Sequence, residues 1–179
     1  DITTKKPVNE NTNFQIASNS KAFTTTALAI LEEEGKLKWT DKVKDHIPEF
    51  RMYNDYVTEN FNIQDLLTHR SGLGLGVGDL MFFPDGSNFT IKDVVTSFQH
   101  FKPVSAFRTQ FDYDNLLYIV AGEVIARASG MSYELFVQKR RDVQLLIHGD
   151  ETKLRPLIER TERVKKVSQL IHCSGVVAM

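Results

Sequence analysis

Ser18 and Lys21 stand three residues apart in Ser18-Asn19-Ser20-Lys21, at the head of a strongly apolar stretch. A serine hydroxyl attacks a carbonyl only when a neighbouring base takes its proton, and three-residue spacing on a helix turns both side chains toward one face. A lysine beside a buried helix start gives up its proton more readily than one in water, because burial disfavours the charged form. The helix N-terminus adds free N–H groups and the positive end of its dipole, which favour an oxyanion on an acylated Ser18. Taken alone the pattern is short, and a serine at a helix start is most often just a cap.

The elements that must position these groups are mostly helical. A helix is expected from residue 18 or 19 to 34, with Ala22, Phe23, Ala27, Ile30 and Leu31 on or near one face and Gly35 as its stop. Asn62 is placed to cap a short helix over 63–69, which the glycine run from Gly72 to Gly78 ends. Thr90 and Asp93 have capping-box spacing ahead of Val94, Val95, Phe98 and Phe101, and Pro103 closes that segment. Leu117, Val120, Ala121, Val124, Ile125 and Ala128 make the clearest amphipathic pattern, closed by Gly130, and Ser132 opens a further helix to about 139. Beyond it, 143–147 reads as a strand, 151–160 as a helix and 167–172 as a strand, a β-α-β pattern.

Residues 14–23 (Phe-Gln-Ile-Ala-Ser-Asn-Ser-Lys-Ala-Phe), with 31–37 and 46–50 after them, resemble the serine β-lactamase and penicillin-binding-protein-like hydrolases, in particular the class C β-lactamase and esterase branch. A second landmark of that family is matched by Leu66-Leu67-Thr68-His69-Arg70-Ser71-Gly72-Leu73, and its Y-x-N element by Tyr113-Asp114-Asn115. The three landmarks run in the family's order over about residues 8–140. The resemblance implies an α+β protein of which this chain holds the mostly helical portion of a β-lactamase/transpeptidase-like fold. It implies that Ser18 forms an acyl-enzyme, that Lys21 and Tyr113 share the proton transfers, and that Asn115 binds the substrate. The substrate would be a β-lactam, a D-amino-acid peptide or a small ester, with no cofactor or metal. Tyr113 serves as a base only where a nearby positive charge such as Lys21 stabilises its phenolate, and by itself it reads as a core tyrosine. Periplasmic or secreted placement follows from the resemblance alone.

The family's third motif, Lys or His two residues before a glycine on a strand, has no match at any of the ten glycines. The alternative expectation is therefore a catalytically incomplete fragment or fusion with a binding or structural role. The tail around Leu146–Ile158 and Ile171–Val177 resembles a β-α-β stretch of the phosphate acyltransferases of bacterial phospholipid synthesis, a likeness that brings no site residue with it.

Composition bounds these readings. The chain has 179 residues with a net charge of −1, 41% hydrophobic and 25% charged residues, which fits a globular domain and leaves no basic footprint for nucleic acid. No apolar stretch approaches the roughly 20 residues of a membrane-spanning helix. The average conceals a seam: all 18 aromatic residues lie between Phe14 and Phe136, and the net charge is −5 over 1–138 but +4 over 139–179. Two units are expected, 1–140 and 141–179. The opening at Asp1, with neither an initiator Met nor a basic and apolar leader, reads as an excised or processed piece. Cys173 stands alone, and the five histidines are too scattered for a recognisable metal site. The glycine run departs from the dinucleotide fingerprint and is expected to form a mobile loop at the cleft rim, beside an apolar rim of Phe82, Phe83 and Phe89. Oligomeric state is not legible in the sequence.

Overall fold

The computed structural model describes residues 3–9, 12, 14–82 and 87–140. The expected β-α-β tail, its acyltransferase likeness and Phe83 lie outside these residues. A turn of 3-10 helix at Ala17–Asn19 leads into helix α1, Ser20–Glu33. There follow α2 (Val43–His46), α3 (Asp55–Asn60), α4 (Ile63–Thr68), α5 (Ile91–Ser97), α6 (Asn115–Ser129) and α7 (Tyr133–Lys139). Among the described residues extended pairing is confined to two isolated bridges, Lys42 with Asn62 and Leu73 with Pro103. The portion described is thus helical, as expected.

α6 is the axis of the core. Leu116, Leu117, Val120, Ala121, Val124 and Ile125 are fully buried, and α1, α2, α4, α5 and α7 all pack on this helix. Each large aliphatic side chain so buried contributes roughly 1.5–3 kcal/mol by leaving water. Asp114 caps the start, accepting from the Leu116 N–H at 2.9 Å, and Gly130 ends the helix in the left-handed region with φ +70°. α1 presents Ala27, Leu28 and Leu31, all fully buried, to this core. Phe50, Phe61 and Phe98 make a second knot of rings at 5.6 and 5.8 Å, onto which Phe107 stacks through Phe61 at 5.4 Å.

The expected cap at Asn62 and the expected capping box at Thr90 are present, and the cap at Asn62 is a full box as well. Asn62 and Asp65 exchange bonds of 2.9 Å at the head of α4, and Thr90 with Asp93 does the same for α5. The one-turn helices α2 and α3 do not show in the apolar periodicity, because four and six residues are too few to repeat a helical face.

The glycine run departs from expectation. It is pinned rather than loose: Gly76 N–H donates to the Tyr113 carbonyl at 2.8 Å, and Gly72 accepts from Val104 and Ser105 at 2.8 and 3.2 Å. A Cβ at Gly78, where φ is +75°, would overlap Leu116 Cδ1 and come within 3.0 Å of Phe101 Cζ. One at Gly72 would meet Ser105 O at 2.7 Å and Tyr53 Oη at 2.8 Å. These glycines let the run lie flat on its neighbours.

Candidate active site

Ser18 lies in the 3-10 turn just ahead of α1, not within the helix itself. In such a turn positions i and i+3 nearly eclipse, so Lys21 stands over Ser18, with Nζ 3.4 Å from Oγ. Ala17, immediately before, adopts a left-handed φ of +48°, a conformation that costs a non-glycine residue energy and that persists when its surroundings impose it. Lys21 is buried on the first turn of α1.

Tyr113 and Asn115 arrive from the far end of the chain and close the cluster. Ser18 Oγ and Tyr113 Oη are 2.8 Å apart, Lys21 Nζ donates to Tyr113 Oη at 2.6 Å, and it donates to Asn115 Oδ1 at 2.7 Å. The three N–H donors of an ammonium are thus matched by three acceptors, Ser18, Tyr113 and Asn115. The same ammonium lies 4.6 Å from the centre of the Tyr113 ring and 5.3 Å from that of Tyr118, a cation held against aromatic faces. All four residues singled out in the sequence, Ser18, Lys21, Tyr113 and Asn115, therefore meet in one hydrogen-bonded group.

Segment 104–113, which delivers Tyr113, is strapped to the second landmark by backbone bonds. Asp112 N–H donates to His69 O at 2.9 Å and Arg108 N–H to Arg70 O at 2.8 Å, alongside the Gly72 bonds already described. The Arg108 guanidinium grips buried Asp65 with two bonds of 2.7 and 2.8 Å, and the paired carboxylate raises the guanidinium's already high proton affinity. Physically, the second landmark is the rail on which the tyrosine segment rides.

Behind Tyr113 lies a buried group that the sequence did not point to. His69 is fully buried with a left-handed backbone, φ +54° and ψ +41°. Its ring packs at 4.6 Å on Tyr113, 5.3 Å on Tyr118 and 5.4 Å on Phe111, and its Nδ1 accepts the Asp114 N–H at 3.1 Å. Burial, followed by the Lys21 charge, pushes the imidazole down to about 4, so it is neutral at pH 7. Burial, reinforced by the Asp79 carboxylate and opposed by the helix-start N–H groups, pushes Asp114 up to about 7. Burial also lifts Tyr118 to about 12, and its hydroxyl donates to the Leu67 carbonyl at 3.1 Å.

Asp79 is the other residue that sequence reasoning missed. It opens a 3-10 turn, Asp79–Met81, directly after the glycine run, and its carboxylate accepts from Asn115 Nδ2 at 3.2 and 3.3 Å. Ser18, Lys21 and Asn115 open onto a cleft of about 790 Å³ that runs past Thr24, Tyr118 and Tyr133. Phe82 and Ile91 also line it, so Phe82 of the expected apolar rim is in place, while Phe89 is exposed and absent from the lining.

A fold built around a buried central helix, carrying Ser-x-x-Lys beside a Tyr-x-Asn, defines a class, and comparison gives the same answer. The family model described as Beta-lactamase matches residues 1–168, and the chain belongs to that family. Penicillin-binding protein 4* of Bacillus subtilis (strain 168) is 32% identical over 147 residues, 77% of this chain and 30% of that protein. A penicillin-binding protein homologue from Pyrococcus abyssi, described as octameric, superposes with a TM-score of 0.60 at 27% identity, covering 72% of this chain and 30% of its own. The D-stereospecific amidohydrolase of a Streptomyces species superposes with a TM-score of 0.61 at 26% identity, covering 75% and 43%. The chain spans 30% of the length of the Bacillus relative and 27% of that of Protein flp of Staphylococcus aureus (strain N315), which is 30% identical over 141 residues, 76% of this chain. No helix among the described residues is long and apolar enough to cross a membrane.

Proposed function

We propose that the chain carries the nucleophilic centre of a serine hydrolase that works through an acyl-Ser18 intermediate. The observation that carries this reading is the closed group of Ser18, Lys21, Tyr113 and Asn115, in which the hydroxyl to be activated is 2.8 Å from the phenol oxygen. In this reading Tyr113 acts as a phenolate held by the Lys21 ammonium at 2.6 Å: as Ser18 Oγ attacks the substrate carbonyl carbon, its proton passes to Tyr113 Oη, which becomes a neutral phenol while the negative charge moves to the substrate. The carbonyl π electrons move onto oxygen, and the tetrahedral intermediate collapses when the leaving amine or alkoxide takes that proton from Tyr113. Water then repeats the sequence, with Tyr113 receiving its proton and returning one to Ser18 as the acid departs.

The substrates we propose are β-lactams, D-amino-acid amides or peptides, and small esters with apolar acyl groups. The names of the Bacillus and Streptomyces relatives support the first two, and the Phe82, Ile91 and Tyr118 lining of the cleft supports an apolar acyl group. Reaction with a fluorophosphonate or a labelled penicillin, followed by intact mass, tests the reading. One adduct per chain is expected, lost in Ser18→Ala; an unchanged mass with both probes would sink it for this chain.

A second reading is binding without turnover. It is favoured by one observation, that no glycine in the sequence is preceded at the second position by Lys or His. It predicts a stable penicillin adduct with no measurable release of product.

A further inference from the structure

We propose that Asp79 is a positioning residue that fixes the orientation of the Asn115 amide and, through it, the place of the Lys21 ammonium. The proposal rests on the reading of the Ser18 group as a catalytic centre. A primary amide has an acceptor edge and a donor edge of almost the same shape, so shape alone does not decide which faces a neighbour. Here the decision matters, because the reversed amide would aim its NH2 at the Lys21 ammonium, donor against donor.

The surroundings settle it from both edges, with Asp79 on the donor side and Lys21 on the acceptor side. Asn115 Nδ2 donates to both carboxylate oxygens of Asp79, at 3.2 and 3.3 Å, which leaves Oδ1 to accept from Lys21 Nζ at 2.7 Å. The result is a polarised chain, carboxylate to amide to ammonium, in which the negative end holds the amide's donor edge and the positive end its acceptor edge. Neutralising Asp79 removes the charge at the donor edge and leaves Lys21 alone to distinguish the two orientations.

The backbone is shaped to hold Asp79 where it stands. Its N–H donates to the Gly76 carbonyl at 3.2 Å, and a Cβ at Gly76 would lie 3.1 Å from its Oδ2. Gly76 in turn donates to the Tyr113 carbonyl. The glycine run therefore links the residue that orients Asn115 to the segment that delivers Tyr113, which accounts for its being pinned. Among the described residues the Asp79 carboxylate bonds to Asn115 and to neither Ser18 nor Tyr113, so it acts through Asn115.

The test pairs a rate with a spectroscopic signature. In Asp79→Asn the fluorophosphonate adduct should form about tenfold more slowly, because one of the two charges that hold the amide's orientation is gone while the side chain's size is kept. The side-chain 15NH2 resonances of Asn115, assigned by their loss in Asn115→Ala, should shift, while the backbone amide spectrum away from residues 76–81 and 113–116 stays in place. Asp79→Ser serves as a second variant, with the same slowing and shift expected, should the first fail to fold. Asn115 resonances that stay in place with an adduct rate within twofold of the parent chain would overturn the proposal. A parent chain that forms no adduct fails the catalytic reading instead, and the Asn115 resonances alone then decide for or against Asp79.

Discussion

The two sides of Tyr113 are built on opposite principles. On the cleft side its hydroxyl meets an ammonium, a serine hydroxyl and, one step away, an amide backed by a carboxylate, with every polar atom matched at 2.6–3.4 Å. On the inner side its ring meets the buried imidazole of His69, and behind that lie His69 Nε2 and Asp114 Oδ2, both buried without a partner. Charge is tolerated where hydrogen bonds replace water and suppressed where they do not. The inner side therefore keeps its imidazole neutral and drives its carboxyl toward the acid form, giving Tyr113 a neutral ring to rest on while the cleft side supplies the electrostatics.

The comparison can be broken at its sharpest point with Tyr113→Phe, which keeps the ring for His69 and removes the oxygen that faces Lys21. Adduct formation should fall by about 10²- to 10³-fold, with the midpoint of thermal unfolding little changed. Removing the neutral ring instead, with His69→Ala, should cost about 3 kcal/mol in urea unfolding, since it empties a fully buried ring site. The loss of rate in that variant should track loss of fold and not precede it.

Asp114→Asn separates the two titrations of the inner side. The folded-state value of His69, depressed to about 4, makes its contribution to stability full above about 6.5 and lost as pH falls toward 4. Asp114, raised to about 7, has the opposite sign, because its contribution is present in acid and is lost as pH rises from about 4 to 7. In the parent chain the two slopes oppose each other. The variant should match the parent near pH 4 and exceed it by about 3 kcal/mol at pH 7 in urea titrations, a gain that grows steadily between. A gain that is flat with pH would show that Asp114 is ionised throughout. Outside both regions, Asn62→Ala removes half of the α4 capping box and should cost about 1 kcal/mol without changing the adduct rate.

What the sequence revealed follows from the range of the interactions involved. The caps at Asn62 and Thr90, the stop at Gly130 and the buried stripe of α6 depend on residues within a few positions of one another, so the pattern is visible in the string. Ser18 and Lys21 were found by local spacing, and Tyr113 and Asn115 by likeness to a family's landmarks. Asp79 and His69 were not found as site residues. Asp79 sits in a stretch whose glycines read as a loose loop, and its partner Asn115 lies 36 residues away. His69 was read only as part of a landmark, because its contact with the Asp114 amide spans 45 residues. The family's third motif is missing from the sequence, and no described residue supplies it.

The contact between Ser18 and Tyr113 joins residues 95 positions apart. On the proposed mechanism a reactive serine exists only after the chain has closed a loop of that size, and such distant contacts form late and slowly compared with the turns of a helix. Chemical reactivity at Ser18 would then serve as a clock for folding. After dilution from denaturant, labelling should lag behind the return of helical circular dichroism, and the length of that lag measures how long the two ends of the site take to find each other.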